Sequence, residues 1–444
     1  MHFGIANLVF ALFLAAAVFV FARNVAKISR NIKLGKDIDR TDNKSQRWSE
    51  MIRVALGQSK MVRRPLAGFL HIIVYAGFVI INIEVLEILI DGILGTHRVF
   101  SFLGGFYDFL IGSFEILAFG VLVACIVFLT RRYISQIPRF WSKEMKGWPS
   151  KDATIILVVE IFLMLAFLKM NGADYVLQQR GVEHYIAAGA YPISSWMMAP
   201  ILSSYSSEFL IVVERGAWWF HILGILAFLN YLVISKHFHI ILAFPNVWYS
   251  NLKAKGRFTN MSEVTKEVKM MMDPNADPFA APDPNAEVAA PSRFGAKDVT
   301  DLNWVQLMNA YSCTECGRCT SECPANQTGK ELSPRKIMMD TRDRIDAVGK
   351  NIDANKGVFQ EDGRTLLDDH ISREELWACT SCNACVDACP INIDPLSIIV
   401  DMRRYLVMEE SAAPSQLNAM MTNVENNGAP WAFSSADRLN WKDE

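Results

Sequence analysis

Eight of the nine cysteines in this 444-residue chain crowd between positions 313 and 389, in two runs of identical spacing. The first reads Cys313-x2-Cys316-x2-Cys319-x3-Cys323-Pro324, the second Cys379-x2-Cys382-x2-Cys385-x3-Cys389-Pro390. Thiols so placed could form disulfides, bind zinc or bind iron–sulfur clusters, and spacing discriminates among these. Zinc sites commonly use two C-x2-C pairs set well apart. Three close cysteines followed by a fourth before proline is instead the pattern that wraps a [4Fe–4S] cubane. In two-cluster proteins the fourth cysteine turns away to serve the neighbouring cluster. On that pattern Cys313, Cys316, Cys319 and Cys389 hold one cluster, and Cys379, Cys382, Cys385 and Cys323 hold the other. The 55 residues between Cys323 and Cys379 are too many for a compact bacterial ferredoxin and predict helices inserted between the runs. The ninth cysteine, Cys125, stands alone in an apolar stretch and reads as a small core residue.

Imidazoles and carboxylates in apolar stretches are the second set with chemical potential. His71 sits at the start of one such stretch; His221, His237 and His239 sit in another. Two imidazoles at equal depth on different helices can ligate one haem iron axially. At a 1.5 Å rise per residue, His71 and His239 each lie roughly 6–9 Å from the same membrane boundary. His237 competes with His239. His221 and His239 are 18 residues, or five turns, apart on one face of the span and His237 points nearly opposite, which favours His239. A second haem using His221 lacks an obvious partner on the His71 helix, with His97 and His184 as substitutes. The alternative is that these histidines contact lipid headgroups or cap helices. Glu84, Glu87, Glu115 and Glu160 also interrupt apolar stretches. Carboxylates there are costly and point to proton handling, for instance for a quinone; pairing between helices, or interfacial exposure for Glu84 and Glu87, is the alternative.

These residues need elements to position them. Five segments are long and apolar enough to span a bilayer, at 3–24, 66–90, 104–130, 153–170 (the shortest) and 214–243. The connection from Arg23 to Arg64 carries twelve Lys or Arg and that from Arg131 to Lys151 carries six, whereas the two alternate connections carry few. The positive-inside rule then places the N-terminus outside, both basic connections in the cytoplasm and, after five spans, the cysteine-rich half in the cytoplasm of a bacterial inner membrane. The first span lacks a preceding basic stretch and a small-residue cleavage site, so it is expected to be retained. The composition, 51% hydrophobic, matches a half-membrane, half-soluble chain, and a net charge of −2 gives no electrostatic case for nucleic acid.

Past Pro245, Trp248 and Tyr249 suit an interface. The segment DPNADPFAAPDPNAEVAAP, residues 273–291, reads as a semi-extended tether. Beyond it the pattern is helical. Trp304, Leu307, Met308 and Tyr311 share a face before the first run. Ser333-Pro334 opens a helix, Ser372 to Glu375 forms a capping box, and Asp394-Pro395 opens a helix through Tyr405. No strand is expected, and the tail from Ser411 is weakly patterned. The expected class is all-α: a transmembrane bundle at 1–250, a linking stretch at 251–297, an α-helical ferredoxin domain at 298–410 and a tail at 411–444.

The stretches CTECGRCTSECPA and WACTSCNACVDACPI resemble the α-helical ferredoxin of the heterodisulfide reductase C subunit and related membrane iron–sulfur oxidoreductases. The five-span half resembles the γ-subunit, a cytochrome b, of respiratory nitrate reductase, whose haem ligands His71, His221 and His239 match by position; the fourth histidine is missing. The resemblance implies an electron-transfer subunit that links a cytoplasmic partner to the quinone pool through two clusters and haem b. Fused relatives often continue into cysteine-rich CCG domains; none is found up to Glu444, so a separate partner of heterodisulfide reductase B or D type, or an electron-transfer flavoprotein, is expected. The alternative function is a non-catalytic membrane anchor that docks a soluble oxidoreductase.

Overall fold

The computed structural model describes residues 4–274 and 293–443. The expected tether at 273–291 lies, all but its first two residues, outside the described residues. The described residues are helical, with isolated bridges and no strand.

Five helices are long and apolar enough to cross a membrane: Ile5–Ile32, Pro65–Leu94, Gly105–Tyr133, Trp148–Gln179 and Ser207–Ile234. Proline at the first helical position starts the second, and Ser206 caps the fifth by accepting from Phe209 N–H. The fourth, expected to be the shortest, is the longest at 32 residues, because polar turns extend the helix beyond its apolar centre. The fifth corrects the sequence-based span of 214–243. Ser235 is extended (φ −117°, ψ 162°) and its hydroxyl accepts from the His237 N–H, so the helix stops at Ile234. A short 3-10 turn, Lys236–Phe238, leads into a separate helix, His239–Trp248. His221 and His239 therefore share no continuous helix, and the five-turn argument for a common face falls.

The cysteine-rich half packs on the end of the bundle that carries the two basic connections. Its long helix Pro334–Ala354 meets the first span where Asn31 lies against Gly349; a Cβ there would sit 2.5 Å from the Asn31 amide. Arg30 donates to the Gly349 carbonyl (3.0 Å) and Asn31 to the Tyr311 hydroxyl (2.9 Å). Helix His239–Trp248 joins both cysteine runs through buried amides. Asn246 donates to Ile391 O (2.7 Å) and accepts from Asn309 (3.1 Å), which accepts from Asp394 N–H (2.8 Å). One hydrophobic core runs from Ile28 and Val247 through Leu307 and Ile337 to Ile399, so the membrane and cysteine-rich halves share it. The tail carries helix Ser415–Asn427, which buries none of its side chains.

Arg335 fastens the second basic connection to this half. Its fully buried guanidinium donates to the Glu144 carboxylate (2.6 Å) and the Arg139 carbonyl (2.7 Å). Removing one member of a buried pair leaves the other charge uncompensated. Arg335→Met should therefore destabilise the protein by about 3–5 kcal/mol in a denaturant titration. Arg335→Lys should recover only part, since an ammonium cannot reproduce the fork.

Candidate redox site

The two cysteine runs fold alike. Each follows a helix, Trp304–Ser312 or Arg373–Ala378, whose last residue hands an extended chain to the first cysteine. Each then takes two left-handed residues, Glu315 (φ 56°) and Gly317 (φ 71°) in one run, Ser381 (φ 57°) and Asn383 (φ 65°) in the other. Those turns curl the chain so that successive cysteines face inward, and each ends in a short helix, Arg318–Ser321 or Ala384–Ala388. Asparagine tolerates the left-handed region. At Gly317 a Cβ would also lie 2.5 Å from the Arg335 guanidinium, so only glycine fits.

Cys313, Cys316, Cys319 and Cys389 line one cavity, with Cys385 also on its wall. Cys379 lies within electrostatic reach of Cys323 and Cys382, and Cys385 within reach of Cys379 and Cys323. The fold thus brings the last cysteine of each run to the other run, the arrangement the spacing predicts. Among the described residues no three His, Cys, Asp or Glu side chains converge as a single metal ion requires. The three-plus-one spacing of each run suits a four-iron core better than zinc.

Backbone N–H groups aim at the sulfurs: Ser381 N–H at Cys379 Sγ (3.4 Å), Ile393 N–H at Cys389 Sγ (3.3 Å) and Glu315 N–H at Cys313. Such bonds stabilise thiolates and tune cluster potentials. Burial pushes the Cys313 thiol up to about 12 and Cys389 to about 11. Loading with metal must therefore displace protons. The two sites differ in access, since Cys313 and Cys389 are buried while Cys382 is exposed.

His71 and His239 come together, their ring centroids 6.4 Å apart. Two imidazoles that share one metal, each bonded at about 2.0–2.1 Å, hold their centroids roughly 6 Å apart or less, so His71 and His239 are near enough that they would be able to hold a haem iron between them. His239 Nδ1 donates to the Lys236 carbonyl (3.0 Å), leaving Nε2 with its lone pair, and His71 Nδ1 is buried without a partner. His237 lies edge-on to His239 at 5.5 Å and packs on Phe228. His221 is elsewhere, its Nδ1 donating to Leu163 O (3.0 Å) and its ring against Phe167. His97 and His184 pair with each other at 5.1 Å.

The acidic residues divide. Glu115 accepts from Ile193 N–H, Ser194 N–H and Asn171, and Glu87 from Phe100 N–H and Tyr107, so both tie the bundle together. Glu84 Oε2 is buried with no hydrogen-bond partner, and Glu84 lines a cavity of about 210 Å³ at the bundle end remote from the cysteines, with His97, His184, Trp218 and Trp219. Glu84 and Glu87 are 2% and 3% exposed, which removes the interfacial alternative for them. Glu160 is half-buried. Cys125 is buried in the bundle core, as expected. Sequence reasoning missed Arg98, which is buried and donates to Asp174 (2.6 Å) and Asn171 (3.0 Å). It also missed Glu315, 3% exposed between two candidate ligands and paired with Lys236 and Arg342. The available signal was a carboxylate inside a cluster-type loop and a lysine at a span end.

The crossed arrangement predicts an asymmetric loss. Cys389→Ser should abolish the electron paramagnetic resonance signal of the Cys313 site and keep that of the Cys379 site, with roughly four of eight irons lost. Cys323→Ser should do the reverse; loss of both signals from each variant would contradict the separate sites.

Comparison with known proteins agrees with the cysteine geometry. Residues 312–393 match the family described as 4Fe-4S dicluster domain. The chain is 30% identical over its whole length to a probable iron-sulfur-binding oxidoreductase, FadF, of Bacillus subtilis, covering 61% of that protein. It is 27% identical over 92% of its length to an EtfAB:quinone oxidoreductase of Syntrophomonas wolfei, covering 55% of it. A probable membrane-anchored ferredoxin of Chromohalobacter salexigens is 34% identical over 34% of the chain, a match that covers 24% of that ferredoxin. The chain thus spans well under two thirds of the two relatives that match most of it. No solved structure matches. The chain carries a 4Fe–4S dicluster domain behind five apolar helices, and iron–sulfur oxidoreductases are among its homologues.

Proposed function

We propose that the chain carries electrons between a cytoplasmic redox partner and the membrane quinone pool, through two [4Fe–4S] clusters and a haem b. The observation that carries this is the adjacency of the two candidate centres. The segment that presents His239 to His71 is the same one whose Lys236 grips the loop between Cys313 and Cys316. Residues 298–410 are the electron-carrying unit and residues 1–250 the membrane unit. The unequal charge of the connections supports a cytoplasmic cysteine-rich half and an outside N-terminus.

His71 and His239 would hold the haem, which when bound supplies a one-electron centre within the bilayer. The Lys236 carbonyl keeps His239 in the tautomer that leaves Nε2 free. The exposure of Cys382 supports contact between the second cluster and a soluble partner. One relative is named for an EtfAB:quinone reaction and others as heterodisulfide reductase subunits. An electron-transfer flavoprotein is accordingly the first partner to test, and a CCG-domain subunit the second. At the far end of the bundle, Glu84 lines a cavity, has a carboxylate oxygen with no hydrogen-bond partner and is suited to exchange protons there.

The test is spectroscopy of protein purified from membranes. Haem-b bands that a quinol analogue reduces are expected. His71→Ala should lose those bands and slow quinol-linked electron flow by about 10-fold or more. Clusters without haem would overturn the haem assignment, and undiminished electron flow in His71→Ala would favour the anchor function instead.

A further inference from the structure

One lysine touches both candidate centres. Lys236 sits at the corner where the fifth span stops, and its side chain is only 10% exposed. Its N–H donates to Asp152 (3.1 Å) and its ammonium to the Pro149 carbonyl (2.7 Å), which fixes the corner to the start of the fourth span. Its carbonyl accepts from His239 Nδ1 (3.0 Å). Its ammonium also binds the Glu315 carboxylate, whose other oxygen is held by Arg342 at 2.8 Å. The Glu315 backbone N–H in turn donates to Cys313. Three hydrogen bonds, joined through the covalent frames of Glu315 and Lys236, thus connect Cys313 to His239.

The second cysteine run supplies an internal control. Ser381 occupies the position of Glu315, with the same left-handed backbone and the same N–H···S bond to its cysteine. Its hydroxyl lies 3.4 Å from Arg403, with no carboxylate in that position. The loop fold therefore does not require a carboxylate there. Burying one beside a cluster loop is costly unless it is paired. At position 315 it is paired twice, once with the corner that carries His239.

We propose that Lys236 and Glu315 are positioning residues that set the register between the His239 site and the Cys313 site and fix the charge beside the latter. The link would act on one cluster and leave the other unaffected. This rests on the cluster and haem assignments above.

The test measures the midpoint potential of each cluster by redox titration, followed by electron paramagnetic resonance, in the full-length protein. Lys236→Met removes a positive charge, so the Cys313-site potential should move negative while the Cys379-site potential stays put. Glu315→Gln keeps the N–H···S bond and removes a negative charge, so the same site should move positive. Lys236→Arg should restore the wild-type potential. In Lys236→Met, reduction of the haem by the clusters should slow by about 10-fold or more, as for other residues that orient a metal ligand. Unmoved potentials in Glu315→Gln, or equal shifts at both sites, would overturn the proposal. If Lys236→Met fails to load iron, Glu315→Gln decides alone. Should the wild type contain no haem, the function above fails in that part, while the cluster potentials still test this link.

Discussion

The fold depends on bringing four thiolates around one point when one of them lies tens of residues away in the chain. On the proposed ligand sets a cubane with fixed corners would need Cys389 to return to Cys313 and Cys323 to reach forward to the second run. That crossing closes a loop of more than fifty residues, whose ordering is costly in entropy. The helix Pro334–Ala354 offsets it by burying Ile337, Met338, Ile345 and Val348 within the shared core. Because the same helix also lies on Asn31 of the first span, the geometry of the thiols is tied to the membrane bundle.

Electrostatics then select which surfaces meet. The first basic connection supplies cations that hold the cysteine-rich half, Arg63 on Asp387 and Arg64 on Glu322; Lys255, past helix His239–Trp248, adds a second cation on Asp387, and Arg318 answers with donations to the Lys60 and Met61 carbonyls. The exposed pairs among these contribute little each. The buried ones, at Arg335 and Glu315, contribute more to specificity, because a wrong docking would strand a charge without its partner. Basic residues that set the connections apart by charge thus also help build the platform on which the cysteine-rich half sits.

Much of this was legible in the sequence because local rules dominated. The cysteine spacing, the Ser333-Pro334 and Asp394-Pro395 helix starts and the Ser372–Glu375 capping box are all short-range signals, and the structure has each helix. The fifth span was misjudged because an apolar run resumes at Ile240 beyond the polar Ser235 to His239 stretch and was joined to it, while the chain breaks at Ser235, whose hydroxyl accepts from the His237 N–H. That His71 and His239 would come together was legible, whereas their ring separation was not, since it depends on that break. Glu315, Arg98 and Asp174 stayed hidden because a buried charge looks like a surface charge until its partner, far away in sequence, is known.

The unequal exposure of the two cysteine sites has a chemical consequence. Dissolved oxygen and peroxide attack iron–sulfur centres from the solvent, and Cys382 is the ligand they would meet first. Oxidative damage would then begin at the Cys379 site and reach the Cys313 site, whose Cys313 and Cys389 are buried, later. A damaged molecule would keep its buried centre reducible, and repair would need to rebuild only the exposed cluster.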